Sequence, residues 1–417
     1  MDLVILNATL PTGQARHFAV ENGHFVPFAN GLDMDSVTVV DAAGRMISPA
    51  FIDPHIHLDK ALISEHVRKN RSGTLTEAIE IIWDYKRDYS EEDIIARAGQ
   101  VIKWAVANGT LFMRTHVDVD NIGGLAPLYG LLRARERYQH LINLQIVAFP
   151  QEGILHNQGA EALMFQAMEA GADIVGGMPF NEDTPEASRE HIDIAFRIAH
   201  QFAADIDMHV DETDDPSART LEYLADKTIR ESYQGRVTAG HTCALAAYDA
   251  PHAAKVIELV RRARIHMITN PATNLMLQGR YDLQPIRRGI TRVKELLAAG
   301  VNVAYGQDCI KDTFYPTFGR ADMLEVGLIT AHAAQLSLPD DIQTLFNMPT
   351  VNSARIMNLG GYGLTPGCRA DFVLLDCPSV QEAFRLQPGR DVYRGGQLIA
   401  RTSRSQQLFI PESHDER

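Results

Sequence analysis

Hydrophobic positions in the middle of the chain recur with a helical period and then change to short continuous runs. Between residues 94 and 106, apolar side chains fall at i, i+1, i+4, i+7 and i+8, beginning with Ile94 and Ile95, which is typical of one face of an α-helix. Ser90 and Asp93 form a capping signal before this segment, and Asn108-Gly109 provides a stop after it. The pattern predicts a helix followed by a strand, and the same unit recurs at 291–305.

Eight apolar runs in the central region have the length and composition of buried parallel strands. They lie at residues 51–57, 111–117, 144–149, 174–177, 206–210, 237–240, 265–269 and 301–308. Most of them start about 30 residues apart, which leaves room for a helix after each strand. This spacing predicts an α/β fold built as a (β/α)8 TIM barrel. A doubly wound sheet is the alternative, but no GxGxxG motif follows an early strand.

The two ends of the chain follow a different pattern, with short strand-like segments separated by turn signals. These segments lie at 3–10, 17–28 and 36–40 near one end, and at 370–376 and 391–400 near the other, where Gly395-Gly396 is typical of a hairpin turn. Neither end is long enough to build a stable core alone. We therefore expect a small β-sandwich domain formed from residues 1–48 and 359–417, flanking a barrel over 49–358.

Composition and charge narrow the class of protein. Of 417 residues, 45% are hydrophobic and 22% are charged, and the net charge of −14 comes without any tract dense in Lys or Arg. These values are ordinary for a globular protein and disfavour a nucleic acid partner. No apolar run reaches 18 residues, so no membrane partner is expected. Four cysteines without a CxxC pair, and an acidic rather than basic start at Met1-Asp2, favour a reducing cytoplasm.

Candidate chemistry lies at the carboxyl ends of the predicted barrel strands, where the active sites of such barrels are found. Strand 1 ends in a His-x-His pair, strand 5 ends in a histidine with an acid three residues on, and strands 6 and 8 end in a histidine and an aspartate. These residues are His55, His57, His209, Glu212, His241 and Asp308. Imidazole and carboxylate ligands together suit Zn²⁺ or Fe²⁺.

Residues 51–59 read Phe-Ile-Asp-Pro-His-Ile-His-Leu-Asp. This string resembles the strand 1 signature of the amidohydrolase superfamily, and more closely that of the bacterial cytosine deaminases. The resemblance continues at residues 72–75, 114–118, 144–153, 209–212, 236–242, 277–280 and 288–295. It covers nearly the whole chain in long and specific strings.

The resemblance implies one divalent metal ion, Zn²⁺ or Fe²⁺, held by His55, His57, His209 and Asp308. Amidohydrolases with two metal ions also use a carboxylated lysine at the end of strand 4. Residues 176–181 contain no lysine, so a single metal is expected. The PCxxC motif of the cytidine deaminases of another fold is also absent from the sequence.

The resemblance also implies a mechanism, in which a water molecule activated by the metal attacks the ring carbon that bears the amino group. His241 and Asp308 would orient this water and accept its proton. Glu212 would deliver a proton to the neighbouring ring nitrogen, after which ammonia leaves. Gln151 would hydrogen-bond the carbonyl edge of the pyrimidine, and Leu75 would line the pocket.

The chain departs from the cytosine deaminase pattern directly after strand 8. Cys309 stands where the family carries an acid, Phe314 where it carries a tryptophan, and Gln307 where it carries a histidine. Because the family's acid lies beside the C5 edge of the pyrimidine, Cys309 removes a charge there and opens space. Burial of a C5 methyl group would contribute roughly 0.8 kcal/mol. We expect 5-methylcytosine to be deaminated at least as well as cytosine.

Other substrates and one other class of protein stay open on the sequence. Related amidohydrolases act on creatinine, isoguanine or N-alkyl ammelides, all of which present an amidine-like carbon with an amine leaving group. A non-catalytic scaffold homologue would normally lose metal ligands, whereas all six metal and proton-transfer positions are filled here. The expected partner is a free nucleobase, and the resemblance implies a homo-oligomer.

Overall fold

A computed structural model describes residues 1–29, 37–314 and 318–409. In this part of the chain, the strands alternate with helices through the centre and follow one another at both ends. The strands are β1 Leu3–Thr9, β2 Ala15–Glu21, β3 His24–Val26, β4 Thr38–Asp41, β5 Met46–Pro49, β6 Phe51–Ile56, β7 Thr110–Asp118, β8 Asn143–Phe149, β9 Ile174–Gly177, β10 Asp205–Val210, β11 Val237–His241, β12 His266–Thr269, β13 Val303–Tyr305, β14 Phe372–Leu375, β15 Arg390–Arg394 and β16 Gln397–Thr402.

The helices alternate with the barrel strands and continue after the last of them, and two of them, at 91–107 and 293–298, occupy the segments for which the hydrophobic pattern predicts a helix. They are α1 Leu75–Lys86, α2 Glu91–Ala107, α3 Ala126–Tyr138, α4 Ala160–Ala170, α5 Pro185–Phe202, α6 Thr220–Arg230, α7 Ala244–Ala247, α8 Ala250–Ala263, α9 Pro271–Leu277, α10 Val293–Ala298, α11 Met323–Ala334, α12 Pro339–Asn347, α13 Ser353–Ile356 and α14 Val380–Leu386. Ser90 caps α2 by accepting a hydrogen bond from the backbone N–H of Asp93, as the capping signal predicts.

Strands β6 to β13 form one parallel sheet in sequence order. A parallel bridge between Ile56 and Asp308 joins its two edges, with Asp308 N donating to His55 O at 2.8 Å and His57 N donating to Asp308 O at 3.0 Å. The barrel is therefore closed by the two segments that carry His55, His57 and Asp308. The predicted (β/α)8 barrel is confirmed, and the strand ends that bear the candidate residues meet at one mouth.

The remaining strands form a separate sheet from both ends of the chain, in the order β16-β15-β14-β5-β1-β2-β3, with β4 paired to β1. The predicted segment 17–28 divides into two strands at Asn22 and Gly23, whose φ angles of 50° and 74° make a tight turn. Backbone hydrogen bonds from Phe25 N to Cys368 O and from Ala370 N to Gly23 O curl the sheet back on itself. The expected small β domain is thus present, although Ser36 of the predicted segment 36–40 lies outside the described residues.

A direct chain connection and the side chain of Arg390 tie this sheet to the barrel. Strand β5 runs directly into β6, and Arg390 on β15 reaches Asp322 before α11 with distances of 3.0 and 3.1 Å to its two carboxylate oxygens. Arg390 also donates to the backbone carbonyl of Asn108 at 2.9 Å. Among the described helices, none combines the length and the apolar character needed to cross a bilayer.

Candidate active site

Four side chains at the barrel mouth point their ligating atoms at one another. His57 Nε2 and His209 Nε2 lie 3.1 Å apart, and Asp308 Oδ1 lies 3.4 Å from His57 Nε2 and 3.6 Å from His55 Nε2. One atom from each of the four residues lies within 4.8 Å of the others. The structure therefore brings together all four of the ligands that the family resemblance implies.

These four residues fit a bound divalent cation. Both ring nitrogens of His55 and both carboxylate oxygens of Asp308 are buried without a hydrogen-bond partner, which is rare for buried polar atoms and calls for a ligand. Burial lowers the pKa of His57 to about 4, with a further contribution from Lys60, and it holds the pKa of His55 and of His209 well below 6.5. The imidazoles are thus neutral, as metal ligation requires.

Asp308 is held as a carboxylate. Burial alone would raise its pKa, but contacts with His55 and His57 outweigh that effect and keep the pKa well below the usual range. The backbone at Asp308 and at His241 is left-handed, with φ of 65° and 66°. Such conformations are unfavourable for residues other than glycine and cluster at functional sites. Here they turn the chain just where each strand ends.

A second group of side chains adjoins the first through Asp308. His241 Nδ1 lies 2.9 Å from Glu212 Oε1, and one ligating atom from each of Glu212, His241 and Asp308 lies within 4.8 Å of the others. Burial alone would lower the pKa of His241, but the Glu212 carboxylate outweighs it and raises that pKa. This arrangement can take up and release protons beside the four candidate ligands.

Two asparagines on the β12–α9 segment hold this second group in place. The amide nitrogen of Asn274 lies 2.9 Å from Glu212 Oε1 and 3.0 Å from His241 Nδ1. That of Asn270 lies 3.1 Å from His241 Nε2. Sequence reasoning assigned no residue to the end of strand 7, although the amides of Asn270 and Asn274 directly after that run were a usable signal.

One pocket at the barrel mouth joins the candidate residues. Every site residue expected from the sequence lines it, apart from the fully buried His55. These lining residues are His57, Leu75, Gln151, His209, Glu212, His241, Asp308, Cys309 and Phe314. Sequence reasoning missed further lining residues, namely Lys60, Ile79, Phe149, Met178, Thr273 and Leu277.

One wall of this pocket is apolar. Cys309 and Phe314 are 3% and 6% exposed and pack in a cluster with Ile79, against which Leu75 also packs. Burial, reinforced by the carboxyl groups of Asp308 and Asp312, raises the pKa of the Cys309 thiol well above its usual value. Cys309 is therefore a neutral, small side chain rather than a thiolate nucleophile.

Comparisons with known proteins agree with this geometry. The model of the amidohydrolase family, which is metal-dependent, matches residues 38–400. A pterin deaminase from Rhizobium rhizogenes (strain K84 / ATCC BAA-868) is 34% identical over 372 residues, covering 87% of this chain and 82% of the relative. An N-isopropylammelide isopropyl amidohydrolase from Pseudomonas sp. (strain ADP) is 29% identical over 409 residues, covering 96% of this chain and 97% of the relative.

Among solved structures, the 5-methylcytosine deaminase from Klebsiella pneumoniae liganded with 5-fluorocytosine superimposes with a TM-score of 0.91. The two sequences are 36% identical, and the match covers 98% of this chain and 99% of the other. Together with the match to the family model, this similarity confirms the resemblance found in the sequence. The chain belongs to the amidohydrolase family, in its cytosine deaminase-like branch, and is a hydrolase that acts on C–N bonds.

Proposed function

We propose that this amidohydrolase deaminates a free pyrimidine base, converting cytosine and 5-methylcytosine to uracil and thymine with release of ammonia. The observation that carries the proposal is the single pocket that joins His57, His209 and Asp308 to Glu212, His241 and the apolar wall at Cys309. The similarity to a 5-methylcytosine deaminase along 98% of this chain supports the same substrate class.

The candidate metal ligands and the two proton carriers each have a chemical task in this proposal. A divalent ion, Zn²⁺ or Fe²⁺, held by His55, His57, His209 and Asp308 would polarise a water molecule and lower its pKa. His241 and the carboxylate of Asp308 would orient the water and accept one of its protons. Glu212 receives that proton and delivers it to the ring nitrogen beside the attacked carbon, so that charge does not accumulate in the ring. The second proton of the water passes through His241 to the amino group, so that the C–N bond breaks with release of ammonia while the new carbonyl group forms.

The apolar wall supports a preference at the C5 position of the ring. Cys309, Phe314 and Leu75 bring no charge to this side of the pocket, and Cys309 leaves more room than an acidic side chain would. A methyl group buried here gains about 0.8 kcal/mol, or roughly fourfold in affinity. We therefore expect kcat/KM for 5-methylcytosine to equal or exceed that for cytosine.

A second candidate function is hydrolysis of a related cyclic amidine rather than a pyrimidine. It is favoured by the 29% identity, over 96% of this chain, to an N-isopropylammelide isopropyl amidohydrolase. The same ligands and proton carriers would serve creatinine or isoguanine equally well, because each has an amine leaving group on an amidine-like carbon. What separates these substrates is the shape and polarity of the pocket wall.

Ammonia release from a substrate panel tests the proposal. The panel contains cytosine, 5-methylcytosine, isoguanine, creatinine and an N-alkyl ammelide, each with metal-loaded enzyme and with the Glu212→Gln variant as matched control. We expect the two pyrimidines to be the best substrates and the variant to lose at least 100-fold in kcat. A best substrate outside the pyrimidines would contradict the proposal. A tenfold or greater penalty for the 5-methyl group would contradict the assigned preference.

A further inference from the structure

A lysine lies in the pocket wall, where neither the family resemblance nor the proposed mechanism assigns one. Lys60 is three residues beyond His57, its side chain is 1% exposed, and it lines the pocket. Its ammonium nitrogen lies 2.6 Å from Asp118 Oδ1 and 2.6 Å from Gln151 Oε1. A buried ammonium beside a small polar ligand site is a strong hydrogen-bond donor.

The charge of Lys60 is matched by a buried network that stands apart from the metal ligands. Asp118 is shared between Lys60 and Lys86, whose nitrogen lies 2.8 Å from Asp118 Oδ2. Lys86 in turn contacts Asp120 at 2.6 Å and Glu152 at 2.9 Å. Because Lys86 also forms an ion pair with Asp118, this carboxylate would keep a charged partner if Lys60 were replaced.

Two aromatic rings flank the same ammonium. The Lys60 nitrogen lies 5.6 Å from the centroid of Phe149 and 5.6 Å from that of Phe314, and both rings line the pocket. The contacts hold the ammonium at the boundary between the charged network and the ligand space.

Lys60 also determines which end of the Gln151 amide is available. Because Lys60 donates to Oε1, the amide oxygen is engaged, and Nε2 has only a long contact of 3.5 Å to Glu152. An ammonium carries three N–H groups, and among the described residues Lys60 has two hydrogen-bond acceptors. Lys60 and Gln151 can therefore each offer an N–H to a ligand, and this part of the wall requires an acceptor.

We propose that Lys60 is a substrate-binding residue that donates, together with Gln151 Nε2, to a carbonyl oxygen on the substrate ring. The substrate class is then an amino-substituted heterocycle that carries a ring carbonyl. A ring without that oxygen would bind poorly, because it would leave the N–H groups of Lys60 and Gln151 buried without an acceptor. The inference rests on the proposed function for its ring chemistry and adds the group that distinguishes among amino heterocycles.

Calorimetric binding of two unreactive rings tests this role on the metal-loaded enzyme. Uracil carries the 2-carbonyl oxygen, and 4(3H)-pyrimidinone lacks it. We expect wild-type enzyme to bind uracil at least tenfold more tightly than 4(3H)-pyrimidinone. In Lys60→Met the affinity for uracil falls at least tenfold while that for 4(3H)-pyrimidinone changes less than twofold.

Lys86→Met is the matched control, because it perturbs the same charge network from a position that does not line the pocket. It is expected to lower the Tm and to keep the preference for uracil. If Lys60→Met does not fold, the K60M/D118N double variant removes one charge of each sign and is measured in its place. The inference would be overturned if the Lys60 variant lost affinity equally for both rings, or if it kept the wild-type preference for uracil.

The outcomes separate this inference from the proposed function. Uracil-selective binding that depends on Lys60, without deamination of any pyrimidine, would refute the function and retain the role of Lys60. Deamination with binding that is insensitive to Lys60 would refute the role and retain the function. Wild-type enzyme that binds no uracil would overturn the inference.

Discussion

Cys309 is a small, uncharged side chain near the carboxyl groups of Asp308 and Asp312. Its replacement by an acidic residue would add a charge to the pocket wall. In Cys309→Asp, a carboxylate joins those of Asp308 and Asp312 next to an apolar cluster. We expect kcat/KM for 5-methylcytosine to fall at least tenfold relative to cytosine, because the methyl group would face a charge. Steady-state kinetics on both bases measure the ratio.

Cys309→Ser is the control for this change, since it alters polarity without adding charge. The ratio of the two kcat/KM values should then shift by no more than about fourfold, the value of one buried methyl group. An unchanged ratio in Cys309→Asp would show that Cys309 does not contact the C5 substituent.

Asn274 is a positioning residue, because its amide contacts both Glu212 and His241 without being placed to react. In Asn274→Ala these two buried groups lose a shared partner, and a displacement of about 1 Å can lower a rate about 100-fold. We expect kcat to fall by that order while KM stays within threefold. Steady-state kinetics give both values.

Asn302→Ala is the matched control for Asn274, because Asn302 contacts His266 and a backbone carbonyl at a distance from the pocket. It should lower the Tm and leave kcat unchanged. Equal effects of both variants on kcat would mean that Asn274 acts only through stability.

The candidate metal ligands could be predicted from the sequence, whereas Lys60 could not. His55, His57, His209 and Asp308 could be expected together because each ends a barrel strand, and such strand ends converge. Lys60 lies just past the same strand, but its partner Gln151 is 91 residues away in the chain. A hydrogen bond between two loops depends on side-chain directions that no hydrophobic period encodes.

At the scale of elements, the hydrophobic pattern predicted each barrel strand, and the boundaries moved only by a few residues. The last strand is the largest change, since the run 301–308 contains a regular strand only over Val303–Tyr305. The reason is that Asp308 leaves the strand with a left-handed backbone to pair with the β6 end. Closure of the barrel, a long-range contact, determines where this strand stops.

The ion pair between Arg390 and Asp322 joins the small sheet to the barrel, and both side chains are buried. In Arg390→Met the carboxylate of Asp322 loses its buried partner, which typically destabilises a protein by about 3–5 kcal/mol. We expect the midpoint of urea unfolding to fall accordingly while kcat of the folded enzyme is retained.

The double variant R390M/D322N serves as the control for this pair, since no unpaired charge is left in it. It should recover a large part of the lost free energy of unfolding. If Arg390→Met were as stable as the wild type, the pair would not couple the sheet to the barrel.

At the scale of the whole molecule, the two segments that close the barrel carry three of the four residues that would hold the metal, namely His55, His57 and Asp308. Loss of the ion should therefore lower stability as well as activity. Binding to the folded state alone contributes about 4 kcal/mol when free metal exceeds Kd a thousandfold. We expect a chelator to lower the Tm and abolish ammonia release, and Zn²⁺ or Fe²⁺ to restore both.

The His209→Asn variant is the control for metal removal. With one ligand weakened, its Tm should change little on chelation, and elemental analysis should find less than one ion per chain. A wild-type Tm that is insensitive to the chelator, with no ion detected by elemental analysis, would contradict a resident metal.

The most direct test of the proposed function is the conversion of 5-methylcytosine by metal-loaded enzyme in water enriched in ¹⁸O. We predict thymine that carries one ¹⁸O atom at C4, with one ammonia released per thymine, as read by mass spectrometry and an ammonia assay. The absence of thymine after prolonged incubation with enzyme that contains one metal ion per chain would contradict the assignment of this protein as a pyrimidine deaminase.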